Sequence, residues 1–489
     1  MAVYYVRKDG SASSWSGATS DSSASTSVNL SFHNSHKGDL QPEDIVVVSD
    51  AGGEYTNSTF DLDELQNITY VSNSGGSPVV KNGDLALSFE YATGIIWDGI
   101  DIVGGGYAAA RAINPGDDCI ILNSKFSGGM DYGLCIGDNA GSRPFSGWII
   151  QSCEFTGNGV AGLNVNFLGS FITIRDNFVH HNCTNNGNWG GGIKLYGDVS
   201  QLKGCEIYDN VVYSNGPVQK NGNQGDGVGI WLDAVLGTED APILVYDNLV
   251  YDNNGNGIFV EISSHCHVFN NRCIDNGFNS NGDDEFTPAN IAVDARGEGG
   301  TKYFSRYNRV YNNSCYGGRV GYKCATYSQV GTAKHLVSNV FTDNISFGAS
   351  EHDLLCAGGG DNVVNGKLNV YDNNCFGPER PQFIQWGYGE YFSDYESWLQ
   401  AAGSSWSYIE GDPLYSNPNE QDLSLEDGSP CKGEGWEIGA GFYPEPDPEP
   451  DPEPDPEPDP EPEPEPTEDI VIDLANVEKI VFVMKKSVQ

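Results

Sequence analysis

An asparagine followed five residues later by a second one recurs seven times in this chain. The pairs are Asn177/Asn182, Asn210/Asn215, Asn248/Asn253, Asn271/Asn276, Asn308/Asn313, Asn339/Asn344 and Asn369/Asn374. From Asn177 to Asn369 the six intervals average 32 residues. Short apolar or β-branched stretches separate the two members, as in Val211-Val212-Tyr213 and Leu249-Val250-Tyr251. Self-similarity at such a period belongs to solenoids or propellers. Helical repeats would show an apolar period of ~3.6 and few glycines. Here two-residue alternation sits among Asn, Asp and Gly, and 62 of 489 residues are glycine. A propeller blade needs ~40–45 residues and four strands. Asparagine tolerates left-handed backbone and bonds its own chain, so it suits the bends of a coil. The period predicts an all-β fold, a right-handed single-stranded parallel β-helix.

A second alignment sets the register. After the second asparagine comes a strand with aliphatic residues at alternate positions: Gly133-Leu-Cys-Ile-Gly137, Gly162-Leu-Asn-Val-Asn166, Gly192-Ile-Lys-Leu-Tyr196 and Gly229-Ile-Trp-Leu-Asp233. The series continues with Gly257-Ile-Phe-Val-Glu261, Asn290-Ile-Ala-Val-Asp294 and Arg319-Val-Gly321. Side chains alternate along a strand, so the aliphatic positions point into the coil and the others point out. One outward column then runs Cys135, Asn164, Lys194, Trp231, Phe259, Ala292, Arg319. The other runs Gly137, Asn166, Tyr196, Asp233, Glu261, Asp294, Gly321.

Five regions follow. Residues 1–110 read as an N-terminal cap and first coils, and 111–380 as the β-helix carrying the groove. Residues 381–443 close the helix and include a short helix near Tyr395–Ala402. In 444–466 twelve prolines alternate with eleven acids, a polyproline rod of about 70 Å. Residues 467–489 suit a small hairpin for oligomerisation or attachment.

Charge narrows the partners. With 68 acids against 25 Lys and Arg the net charge is −43, which excludes nucleic acid as an ordinary partner. No stretch of ~18 apolar residues is present to span a membrane. The first residues lack a cationic segment followed by an apolar run, so no signal peptide is read. The 12 cysteines form no Cys-x-x-Cys pair, and their apolar settings mark them as small buried fillers. His265, His267 and Cys273 lack the spacing of a zinc site. No cofactor is required by any motif, and bound calcium is compatible without being indicated by one.

Two segments carry a resemblance. Tyr4-Tyr5-Val6-Arg7-Lys8-Asp9-Gly10-Ser11 resembles the opening strand of secreted right-handed β-helix polysaccharide-degrading proteins, including pectate and chondroitinase-B-like lyases. Asp412-Pro413-Leu414-Tyr415, Leu423-Ser424-Leu425, Gly428-Ser429-Pro430 and Ile438-Gly439-Ala440 resemble the closing segment of the same superfamily. The lyases' catalytic Lys-and-Arg motif is not found, so no lyase residue is carried over. Phage tail-spike exopolysaccharide depolymerases are similar too. That likeness implies a homotrimer and an extracellular setting, on a virion or secreted.

The outward carboxylates carry the chemistry. Asp233, Glu261 and Asp294 hold one register in three successive coils, so three anions stand in a row on an exposed sheet. Like charges at this spacing destabilise a fold, and stacked carboxylates raise one another's pKa, yielding one acid and one base. Glycoside hydrolysis needs that pair. Trp231 and Phe259, outward beside the row, offer aromatic faces to sugar rings. Lys194 and Arg319 flank them and suit an acidic sugar. Tyr196 continues the carboxylate column, and Asp226 lies on the loop entering the strand at Gly229. The expected function is an endo-acting, retaining glycosidase on an extended acidic bacterial exopolysaccharide, as in a phage tail spike. The alternative is a polysaccharide lyase on a uronate-containing glycan. The second alternative is a non-catalytic glycan-binding stalk protein.

Overall fold

The structure is a computed structural model. It describes all residues except 74–75, 138–142, 186–189, 201, 217–226, 278–286, 296–303, 327–334, 357–365, 388, 439–469, 473–479 and 483–489. Asp226 therefore lies outside the described residues.

Successive coils lay their strands into three long sheets, two of thirteen strands and one of eleven. Neighbours within a sheet come from successive coils, as with Val211–Tyr213, Leu249–Tyr251 and Arg272–Ile274. Pairing is parallel up to the last strand of one sheet, where Tyr391–Phe392 returns antiparallel. This is the parallel β-helix expected, right-handed as crossovers between parallel strands are. Coiling already begins at Val3–Arg7, which pairs with Ile45–Ser49. The aliphatic positions stack inward: Ile193, Leu195, Ile230, Leu232, Ile258 and Val260 are all fully buried.

The asparagines form ladders at the corners. One runs Asn177–Asn210–Asn248–Asn271–Asn313–Asn344–Asn374, each carboxamide donating to the next at 2.9–3.0 Å. A second runs Asn158–Asn182–Asn215–Asn253–Asn276–Asn290. Asn308–Asn339–Asn369 make a third. Asn271 shows the economy of the arrangement. Its Oδ1 accepts from both the backbone N–H and the Nδ2 of Asn248. Its own Nδ2 donates to Val245 O, Phe269 O and Asn313 Oδ1. The ladder's own carboxamides and the N–H groups beside them are thus paired from coil to coil.

The ladders correct the register. In the first four pairs the two asparagines bracket a strand of the eleven-stranded sheet, as Asn210 and Asn215 bracket Val211–Tyr213. In the last three they bracket a strand of a different sheet: Arg309–Tyr311, Val340–Thr342 and Val370–Asp372. Asn313, second in its pair, continues the ladder of Asn271, first in its own. Beyond residue 300 the repeat has slipped by one side of the coil.

A cap closes the N-terminal end, where Leu30–His36 is helical and His33 packs among Trp15, Phe60 and Tyr70. Near the other end the predicted helix spans Tyr395–Ala402, capped by Asp394 and by Gly403 at φ 64°. Tyr415, Leu423, Leu425 and Cys431 of the closing segment fold onto the outside of the eleven-stranded sheet against Ile274 and Ile345. All twelve cysteines are buried thiols, as expected of fillers. Residues 441–489 form a separate unit, with Ile470–Ile472 antiparallel to Ile480–Phe482. Among the described residues no helix is long and apolar enough to cross a membrane.

Replacing Asn271 with alanine should strand the backbone N–H of Asn248 inside the corner, while the Asn248 carboxamide still donates to Ile207 O and Tyr246 O. We expect a loss of about 1–3 kcal/mol, the desolvation penalty of one orphaned group, read from urea unfolding. A loss within about 0.5 kcal/mol would show that the ladder does not support the coil.

Candidate functional site

The second thirteen-stranded sheet brings the predicted residues together. Lys194, Trp231 and Phe259 are direct partners on successive strands, and beside them so are Tyr196, Asp233, Glu261 and Asp294. These strands form because branched and aliphatic side chains fill the lumen at every second position, which sends the intervening residues outward. The carboxylate row expected from the sequence is therefore present.

The row ends differently from expectation. Ala292 is followed by Lys323, and Asp294 by Ala325. Arg319 is not in the column: it precedes the strand Val320–Thr326 and pairs with Glu351 at 2.6 Å. Gly321 likewise falls outside it. The reason is the slipped repeat, since the strand directly after Asn313 belongs to the eleven-stranded sheet. Lys323 was missed for that reason. Its signal was the alternation Tyr322-Lys-Cys-Ala325, with a buried tyrosine where earlier coils have isoleucine.

The second correction concerns exposure. The row is buried: Trp231 is 2% exposed, Phe259 9% and Glu261 1%. Trp231 and Phe259 join Val228, Ala289, Ala292, Val320, Ala325 and Leu355 in an apolar cluster on the outside of the sheet. Both faces of the indole are taken. The Lys194 ammonium lies 3.8 Å from the Trp231 ring centroid, and the Phe259 ring stacks at 5.7 Å and 27°. Among the described residues Trp231 thus presents no open stacking face to a sugar ring, and Phe259 is buried beside it.

Burial is compensated by pairing. Lys194 Nζ meets Asp233 Oδ2 at 2.9 Å, and Lys323 Nζ meets Asp294 Oδ2 at 3.0 Å. Between them the Trp231 indole Nε1 donates to Glu261 Oε2 at 3.1 Å. A lysine thus stands at each end of three carboxylates, which offsets the like-charge repulsion anticipated for the row. Lys194 also lies 5.5 Å from the Tyr196 ring centroid, and Phe167 packs edge-on against that ring. Chemically, the row offers carboxylates in fixed geometry beside two ammonium groups and a phenol. Among the described residues no group of three His, Cys, Asp or Glu side chains is arranged to hold a metal ion.

With this geometry in hand, a family model described as a right handed beta helix region matches residues 112–283. No curated protein matches the sequence. Several solved structures are similar in architecture. The pectate lyase Pel9A shares 14% identity over 88% of this chain and 90% of its own, with a TM-score of 0.45. The A-module of the mannuronan C-5 epimerase AlgE6 from Azotobacter vinelandii shares 12% over 71% and 93%, with 0.46. The Dettilon tailspike protein shares 16% over 67% and 64%, with 0.41. The chain has the right-handed parallel β-helix fold.

Trp231→Ala should lower unfolding free energy by about 3–5 kcal/mol, as a deleted core aromatic does, measured in denaturant. A change below about 0.5 kcal/mol would return the indole to a surface role.

Proposed function

We propose that the protein cleaves polysaccharide, as a glycoside hydrolase using Asp233 and Glu261. One observation carries this reading: the two carboxylates are direct partners on adjacent parallel strands, each with its own fixed neighbour. One strand spacing is ~4.8 Å. Carboxyls ~5–5.5 Å apart leave no room for an intervening water and suit a retaining mechanism. Asp233, with the Lys194 ammonium at 2.9 Å, is the natural ionised nucleophile. Glu261 then protonates the leaving oxygen and later takes the proton from water. Asp294, tied to Lys323, orders the far end of the row. Because the row is buried, a glycan reaches it only when this face opens.

A lyase reading is favoured by a separate observation, the lysine and tyrosine beside the carboxylates. Elimination needs a base at a uronate and a positive group to neutralise its carboxylate, and Lys194, Tyr196 and Lys323 are of those types. Product mass separates the two: hydrolysis adds water, whereas elimination leaves an unsaturated, ultraviolet-absorbing end.

Asp233→Asn and Glu261→Gln should each slow release of oligosaccharides from a cleaved glycan by about a thousandfold. Thermal melts of the same samples separate lost chemistry from lost fold. Glu261→Gln is the cleaner variant, because its amide oxygen still accepts from the indole. Full activity in either variant sinks the assignment, and no chain shortening on a broad glycan panel leaves a binding protein.

Salt tests the acidic substrate. A chain of net charge −43 repels a polyanion, and at 0.1 M salt charges are screened over ~10 Å. Cleavage of an acidic glycan should therefore speed up between low and moderate salt. A rate indifferent to salt would favour a neutral chain.

A further inference from the structure

One residue before each asparagine of the longest ladder, the chain turns through a left-handed corner. Asp247, Asn270, Asn312, Asp343 and Asn373 occupy that corner in successive coils, all at φ between 52° and 58°. Their side chains therefore leave the coil side by side at the strand spacing of ~4.8 Å. Asp247, Asp343 and Asn373 are partly exposed, whereas Asn270 and Asn312 are 5% and 6% exposed. The closing segment presses on this corner. Gly435 N–H donates to Asp343 O at 3.0 Å and Trp436 N–H to Ser314 Oγ at 3.3 Å, and Arg272 lies 4.5 Å from the Trp436 ring centroid. A Cβ at Gly435 would stand 2.5 Å from Ser314 Oγ, so the approach requires glycine.

The corner is rich in acceptors and poor in donors. Asn270 Oδ1 and Asn312 Oδ1, neighbours in the column, are buried, and neither has a hydrogen-bond partner among the described residues. The next side chain is Asp343, and Glu434 of the closing segment joins it through one amide. Asn373 Nδ2 donates to Asp343 Oδ1 at 2.8 Å and to Glu434 Oε1 at 3.0 Å. Acceptors buried without donors are costly, and two carboxylates gathered beside them add charge that favours a cation. The set is all oxygen, which excludes the thiolate and imidazole sites that zinc prefers. Calcium takes ~6–8 oxygens, carboxylate, carboxamide and water alike, in a tolerant geometry.

We propose that a calcium ion binds at this corner through Asn312 Oδ1 and the carboxylates of Asp343 and Glu434, tying the closing segment to the last coils. Asn373 holds one oxygen of each carboxylate, and the ion takes the other. A water of its shell donates to Asn270 Oδ1, so both buried carboxamide oxygens gain a partner. Because Glu434 comes from the closing segment and Asn312 and Asp343 from the coils, binding favours the docked segment over a lifted one.

The test uses the full chain, stripped with chelator and titrated with calcium chloride by calorimetry. One saturable site should stand above the weak background of the acids in 444–466. Glu434→Gln and Asn312→Gly should each weaken that site at least about tenfold, since affinity follows the charge and number of ligands. The glutamine still accepts from Asn373, and glycine keeps the left-handed corner. In the wild-type protein, proteolysis of the closing segment should slow about tenfold when calcium is raised to about ten times the Kd. Absence of a site above the background overturns the proposal, and leaves a corner that holds water only. A site that either variant leaves unchanged overturns it as well, as does a closing segment cut equally fast with calcium and with chelator. The wild-type measurements hold even if a variant folds poorly.

Discussion

A strand stacked on its own repeat at ~4.8 Å must pair every buried polar group at each corner with the coil above or below. The asparagine ladders do this for their own carboxamides and for the N–H groups beside them. A carboxamide offers donor and acceptor in one plane, so one side chain serves the coil before it and the coil after it. Asn271 makes five such bonds between Asn248, Val245, Phe269 and Asn313. The lumen can then consist of stacked aliphatic residues, and the outward positions are free to vary.

The same spacing organises the carboxylate row. Asp233, Glu261 and Asp294 stand in one column because their coils stack in register. Three like charges so placed would weaken the sheet. The structure answers with lysines at both ends and an indole in the middle rather than with solvent. Lys194 serves twice, as ion partner to Asp233 and as cation over the Trp231 ring. Removing a lysine would take the ion partner from a buried carboxylate, a costly change.

Much of this was legible in the residues. The asparagine period identified the coil, and alternation placed Ile230 and Leu232 inside and Asp233 outside. Two things were not legible. Burial of Trp231 and Phe259 depends on contacts remote in sequence, and a local pattern shows only that a residue points away from the lumen. Arg319 was misplaced and Lys323 missed because the asparagine pair is a corner device, indifferent to which side of the coil it brackets. The alternation Tyr322-Lys-Cys-Ala325 was the available clue.

That indifference has a consequence for any motif-based reading of such a chain. A repeat counted by its asparagine pairs keeps the correct axial height but loses its azimuth where the bracketed side changes. Past residue 300 the inferred orientation is wrong by a third of a turn, although every strand is still recognised as a strand. A surface assembled from aligned copies would there join residues from two different walls of the prism. Azimuth has to be tracked separately, and the bonded ladder carries it where the repeated word does not.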